Sequence, residues 1–304
     1  MSANPQPGAG GFVEVECFAK INLFLNIVGK LPDGYHQLET VMHKINLRDT
    51  LTVARAKAGV TLEVVGDNPL YPIDKIPTSE SNLVVKVARR MLAEYNIMGG
   101  LRLTLVKRIP MGAGLGGGSA DCAGAILAIA KLFKLPVTMD KLLKLGKTLG
   151  ADVPFCLFAN AGGVAAKATG IGEDLVPIAP APKCYMLLAC LKIHVSTKVT
   201  FGNLNWAPGV YPEKSLADYL AGHYNGDLFA QGIYNIFTEV TGKVHPQVPD
   251  IINNLKKQGA IAAEMTGTGP TIYAFFDNED TANHYKKVLQ GIYRSSMFFV
   301  VKTF

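Results

Sequence analysis

Near its start the chain alternates apolar and acidic positions: Val13, Val15 and Cys17 are separated by Glu14 and Glu16, and the alternation resumes at Ile21, Leu23 and Leu25. A period of two sends successive side chains to opposite faces, so this stretch predicts opening strands. Leu47 to Ala54 and Val60 to Val65 predict two more. Leu101, Leu103 and Leu105, set between Arg102 and Thr104, predict a fourth. Between them the period changes. Leu83, Val84, Val87, Met91 and Leu92 recur at helical spacing behind Ser81 and Asn82, both good N-caps, which predicts a helix over Ser81 to Tyr95.

Further helices are predicted from about Ser119 to Phe133 and from Met139 to Leu149, the second with Gly150 as its stop. The prolines at 177, 180 and 182 mark Val176 to Pro182 as a linker. Beyond it the pattern predicts a strand over Tyr185 to Ile193 and paired strands at about Ala260 to Thr266 and Thr271 to Phe276. A helix over Glu279 to Gln290 and a last strand from Met297 to Phe304 follow. The 304 residues are roughly twice the ~150-residue prior for one domain, so two domains sharing a cleft are expected. The fold class read here is α+β, with a flexible tail over 1–11, an N-terminal domain over 12–178 and a C-terminal domain over 179–304.

With 49% hydrophobic and 18% charged residues the chain is globular in composition. The net charge of +6 is scattered, with no basic arm for nucleic acid and no apolar run near the ~20 residues that span a bilayer. A small anionic ligand is compatible with the surplus, and so is an ordinary solvated surface. Cys17, Cys122, Cys156, Cys184 and Cys190 are odd in number and lack Cys-x-x-Cys spacing, which points to a reducing cytoplasm. His43, His223, His245 and His284 converge with no cysteine or carboxylate and are read as surface or packing residues. No zinc site is implied. Oligomeric state stays open between monomer and homodimer.

The chemistry concentrates in one loop. Pro110, Met111, Gly112, Ala113, Gly114, Leu115, Gly116, Gly117, Gly118, Ser119 and Ala120 join a predicted strand to a predicted helix. Glycine removes the Cβ atoms that would hold an anion off, and free amides at a helix start favour negative charge. Gly116 and Gly117 are therefore expected to admit phosphates, with Ser119 capping the helix or touching a phosphate or its metal. No Gly-Lys-Ser/Thr follows, which excludes a Walker A loop. Gly112, Gly114 and Gly117 satisfy the dinucleotide spacing, but the helix runs on to another helix rather than to a strand ending in an acidic residue. An oxidoreductase is thus a distant rival.

The loop resembles that of the GHMP kinase superfamily. So do Ala19-Lys-Ile-Asn-Leu-Phe-Leu25 near the start and Met265-Thr-Gly-Thr-Gly-Pro-Thr271 near the end. The resemblance implies a two-domain fold with a phosphate loop in the N-terminal α/β domain and a ferredoxin-like α/β sandwich behind it. The active site would lie in the cleft between them. It implies ATP and Mg²⁺, with Ser119 the one metal ligand the sequence suggests. Homoserine, mevalonate and galactose kinases share the loop, and some members keep the fold as binding proteins without activity.

Lys30-Leu-Pro-Asp-Gly-Tyr-His36, Gly150-Ala-Asp-Val-Pro-Phe155 and the run Gly170 to Glu173 narrow the resemblance. They match the branch that phosphorylates the 2-hydroxyl of a methylerythritol linked to cytidine diphosphate. That match implies Lys20 and Asp152 as the catalytic pair, with Asn22 beside them. It implies cytidine contacts at Tyr35, His36, Thr197 and Phe201, an adenine neighbour at Asn82, and a glycine turn at Gly267, Thr268 and Gly269 closing the cleft. Taken alone, Asp33-Gly34 reads as a turn that Tyr35 and His36 merely close, and Asp152 as a helix cap.

Overall fold

The computed structural model describes residues 11–30, 36–66, 72–205, 216 and 226–304. Residues 1–10 of the tail expected over 1–11, Tyr35 and His223 lie outside the described residues.

Strand β1 (Phe12–Lys30) and strand β2 (His36–Ala56) form one long antiparallel hairpin. The two alternating runs at the start of the chain are thus a single strand, and β2 begins eleven positions before Leu47. β1 is buried on both faces from Ala19 to Ile27. Lys20 and Asn22 keep the alternation inside this covered stretch, but the adjacent apolar pairs Phe18-Ala19 and Phe24-Leu25 interrupt it, so a period-two reading divides one strand into runs. Irregularities at Phe18/Lys20, Asn22/Phe24 and Ile27/Gly29 shift the pairing register. Such bulges re-aim side chains beside functional sites.

β3 (Gly59–Val65) and β4 (Gly100–Val106) extend the sheet beyond β2. β5 (Ala165–Thr169) and β6 (Asp174–Pro177) extend it from the other half of β2. Helices α1 (Leu83–Glu94), α2 (Gly117–Leu132), α3 (Met139–Lys147) and α4 (Val153–Asn160) complete this half. Three expectations need correction. Val176 and Pro177 belong to β6 rather than to a linker, an edge strand being where proline is tolerated. α2 starts at Gly117, two residues before Ser119, because left-handed Gly116 takes the N-cap position. α3 ends at Lys147 with Thr148 at its C-cap, so Gly150 is not the stopping residue.

β7 (Tyr185–Cys190), β9 (Ala262–Met265), β10 (Ile272–Phe276) and β11 (Met297–Lys302) form a second, antiparallel sheet in the order β11-β7-β10-β9. Short α5 (Thr197–Gly202) and α6 (Gly226–Gly232), then α7 (Phe237–Val244) and α8 (Gln247–Lys257), come before β9, and α9 (Glu279–Ile292) joins β10 to β11. This is the order of a split β-α-β ferredoxin-like unit. The halves are interlocked. β8 (Tyr234–Asn235), from the second half, pairs in parallel with Phe24 and Leu25 of β1. One apolar core holds Leu23, Ile45 and Leu51 together with Met186, Leu188 and Tyr273.

Candidate functional site

Two cavities meet at the glycine loop. One, about 570 Å³, runs from Asn82 and Leu83 at the start of α1 along the loop to Lys107 and Asp121. The other, about 340 Å³, is bounded by Lys20, Asn22, Asp152, Ile171, Phe201 and Gly267 among others. Gly114, Gly116 and Ser119 line both. These three residues are where a molecule in the first would meet one in the second.

The loop has the backbone its glycines predict. Gly112, Gly114 and Gly116 have φ of 65°, 76° and 69°, a region closed to most side chains. A Cβ on Gly114 would lie 2.7 Å from the Thr266 carbonyl oxygen and 3.2 Å from that of Gly269. The two glycine turns thus pack backbone against backbone. The expectation for Gly117 is corrected: its Cβ would stand 3.0 Å from both Ile109 Cγ2 and Lys107 Nζ, beneath the loop. Gly112 and Gly118, both exposed and with nothing within 4 Å of their Cβ positions, are the loop residues whose missing side chains leave open space, and Gly118 is the one at the start of α2. Pro110, Met111, Ala113 and Leu115 also line the larger cavity, whereas Ala120 is turned wholly into the core.

Lys20 and Asn22 are two apart on β1 and so share a face. Lys20 Nζ donates to Asn22 Oδ1 at 2.8 Å and lies 3.3 Å from Asp152 Oδ2. Asn22 Nδ2 donates to Thr40 Oγ1, whose hydroxyl donates to the Phe24 carbonyl. The Lys20 side chain is 5% exposed and that of Asp152 33%, so the cation is held inside while the carboxylate faces the cavity. Asp152 occupies the N-cap position of α4 but makes no side-chain capping bond. Its carboxylate serves the cavity rather than the helix.

Asn82 caps α1, accepting from Val84 N at 2.9 Å and donating to the Pro77 carbonyl. His36 opens β2, its ring 5.5 Å from Phe201, which packs tilted by 54° against Phe237 with centroids 4.5 Å apart. Burial, helped by Lys30, lowers the His36 pKa, so the ring is neutral at pH 7. Thr197 and Thr268 approach hydroxyl to hydroxyl at 3.2 Å, and Thr266 Oγ1 accepts from Asn22 N. Gly269 lies behind the cavity with its Cβ position against Met265.

Sequence reasoning missed the charged group beneath the loop. Lys107 Nζ donates to Asp49 Oδ2 at 2.5 Å and Asp121 Oδ2 at 2.6 Å, all three buried. Asp49 Oδ1 also accepts from the amides of Arg108 and Ile109. Burial opposes the Lys107 charge, but the two carboxylates outweigh it and hold the ammonium above the ordinary lysine range. Burial pushes the Asp121 carboxyl up to about 8 against the pull of Lys107, with Asp49 adding to the rise. The signal was a lysine ending a strand just before the loop and an aspartate just after it. Also missed was the use of the run Gly170 to Glu173, whose Ile171 and Gly172 form a cavity wall. Glu173 holds that wall by accepting from Ile171 N at 2.6 Å and pairing with Lys147 at 2.9 Å.

The family model described as the GHMP kinases N terminal domain matches residues 82–160, the stretch carrying the loop and Asp152. The GHMP kinases C terminal model matches residues 220–293. The chain belongs to the GHMP kinases. It is 35% identical to a 4-diphosphocytidyl-2-C-methyl-D-erythritol kinase of Lachnoclostridium phytofermentans, over 89% of this chain and 90% of the relative. A protein of the same description from Syntrophus aciditrophicus is 37% identical, over 89% and 92%. Among solved structures, a 4-(cytidine 5'-diphospho)-2C-methyl-D-erythritol kinase matches with a TM-score of 0.76 at 27% identity, over 95% of this chain and 98% of that one. Homoserine kinase from Cytophaga hutchinsonii, at 19% identity and a TM-score of 0.70, shares the fold.

Proposed function

We infer that the chain is an ATP-dependent kinase of 4-diphosphocytidyl-2-C-methyl-D-erythritol, transferring the γ-phosphoryl group to the 2-hydroxyl to give the 2-phosphate and ADP. This places it in the non-mevalonate route to isoprenoid precursors. The observation that carries the reading is the ion pair between buried Lys20 and half-buried Asp152, facing the cavity that the glycine loop divides from a nucleotide-sized one. Likeness to enzymes of that description over nine-tenths of their length supports it.

Phosphoryl transfer leaves the protein little covalent work: it must hold the acceptor oxygen in line and neutralise charge on the phosphoryl oxygens. In this reading the amides of Gly116 to Ser119 and the start of α2 hold the phosphates, above a Lys107 ammonium whose charge Asp49 and Asp121 already balance. Asp152 takes or directs the proton of the acceptor hydroxyl. Lys20 pairs with it and keeps it turned toward the cavity, while Asn22 holds Lys20. His36 offers directional hydrogen bonds and Phe201 a stacking face, both suited to a pyrimidine. Tyr35, which precedes His36, completes that assignment from sequence alone.

Among the described residues no three His, Cys, Asp or Glu side chains gather as a metal site. This donor set fits Mg²⁺, which binds mostly through phosphate oxygens and water, with Ser119 as the protein oxygen at hand. When bound, the ion would neutralise phosphate charge.

The test is a panel of acceptors with ATP: the cytidylylated methylerythritol against mevalonate, homoserine and galactose. The first should be phosphorylated with the highest kcat/KM. Preference for one of the others would replace the acceptor and leave the kinase standing, and no transfer to any would favour a binding protein on this fold.

A further inference from the structure

We propose that Asn235 is a positioning residue of the phosphoryl-transfer site, fixing the relative places of its glycine turn and its aromatic wall. The proposal rests on the kinase reading above. Asn235 is the second residue of β8 and lies opposite Leu25 of β1, at the seam between the two halves. It is 4% exposed, and its side chain touches three parts of the site. Nδ2 donates to the carbonyls of Met265 at 2.7 Å and Gly267 at 2.8 Å, and Oδ1 accepts from Phe237 N at 2.9 Å.

Each partner leads to the cavity. Gly267 lines it, with a φ of 59° that glycine readily adopts, and the carbonyl of neighbouring Thr266 is one that a Cβ on Gly114 would strike. Phe237, fully buried, also lines the cavity and packs tilted against Phe201. One amide therefore holds the phosphate side and the base side of the cavity to a common strand. Only an amide can do so. Two donors and an acceptor at one branch point are the inventory of Asn or Gln, and Gln is a methylene too long for a dense interior. Asp keeps the acceptor, loses both donors and sets a carboxylate against two carbonyl oxygens.

The experiment compares wild type, Asn235→Asp and Asn235→Ser in steady-state kinetics with ATP and the acceptor preferred by wild type. Calorimetric titration with ATP alone and thermal unfolding accompany the kinetics. Because wild type identifies its own acceptor, failure of the substrate assignment is seen before any variant is read. Both variants are expected to lose about ten- to a hundredfold in kcat/KM for the acceptor, the cost of misplacing a reacting group by about an ångström. ATP affinity should stay within about twofold. Asn235→Asp carries a second signature. Its buried carboxyl titrates above the ordinary range, and when protonated regains one donor, so its activity relative to wild type should climb as pH falls from 8 to 6. A merely structural residue gives no such climb. Should Asn235→Asp fail to fold, Asn235→Ser reads the same kinetic split. The proposal is overturned by variants with kcat/KM near wild type, by equal loss of ATP and acceptor binding, or by a flat pH ratio in folded Asn235→Asp.

Discussion

At the residue scale two polar side chains illustrate opposite uses of burial. Asp152 sits where a helix cap would, yet makes no capping bond and pairs with Lys20. A cap is worth ~1 kcal/mol of stability, whereas loss of a general base costs about 10² to 10⁴-fold in rate. Asp152→Asn is therefore expected to lower kcat by at least about a hundredfold with little change in melting temperature or ATP affinity. Rapid turnover in that variant would remove the proposed base. His43 shows the structural use. It is fully buried, with Nδ1 against the Lys44 carbonyl and Nε2 unpartnered, and burial pushes its pKa down to about 4. The unfolded chain, with an ordinary value near ~6.5, takes up this proton while the folded one does not. Stability from this residue is thus whole above about pH 6.5 and is lost as pH falls toward 4, by about 3 kcal/mol. Relative to His43→Leu, wild type should lose that amount between pH 7 and pH 4 in denaturant titrations. Parallel pH curves for the two proteins would contradict it.

At the element scale the glycine loop was the most legible part of the chain, because glycine at closely spaced positions has few uses other than close approach and left-handed turns. Gly114 and Gly116 satisfy both uses. Less legible was which glycine faces the ligand, since that depends on what lies behind each Cβ. Gly117 backs onto Ile109 and Lys107, and Gly118 onto nothing. Gly118→Val should accordingly place its methyl groups in the nucleotide cavity without disturbing the fold. ATP binding by titration should weaken by at least about tenfold while the melting temperature stays near wild type, as a side chain in free space strains nothing. Unchanged ATP affinity would mean that phosphates do not pass there. The long hairpin was legible only in part. The alternation in β1 is interrupted at Phe18-Ala19 and Phe24-Leu25, while β5 is short and alanine-rich and β6 is only four residues long, too little to announce a period. Lys107 and Asp121 could be seen as charges but not as partners, since 14 residues and a turn separate them. Asn235 carried little local signal because two of its three side-chain bonds run to Met265 and Gly267, 30 and 32 residues away.

At the scale of the whole molecule, reading two domains from length leaves open how far they are independent. Several ties argue that they are not. β8 completes the first sheet from the second half of the chain. Tyr273 of β10 reaches the Leu23 carbonyl with its hydroxyl, and Phe304 packs edge-on against Phe18, with Lys44 over both rings. The site adds its own tie through Thr266 and Asn22. Residues 12–178 alone would expose the apolar face now covered by Met186, Leu188 and Tyr273. Burial of such side chains is worth about 1.5 to 3 kcal/mol each, against a net stability of only about 5 to 15 kcal/mol. The chain is therefore expected to unfold in one transition, with calorimetric and van't Hoff enthalpies equal, although its length would allow two. Leu188→Ala, made in the second half but within the shared core, should cost about 2 to 5 kcal/mol and move the whole transition to lower temperature as a unit. A fragment of residues 12–178 should show no cooperative melt and should bind an apolar dye. Two resolved transitions, with only one of them moved by Leu188→Ala, would establish the halves as independent folding units. The site between them would then depend on docking rather than on a common core.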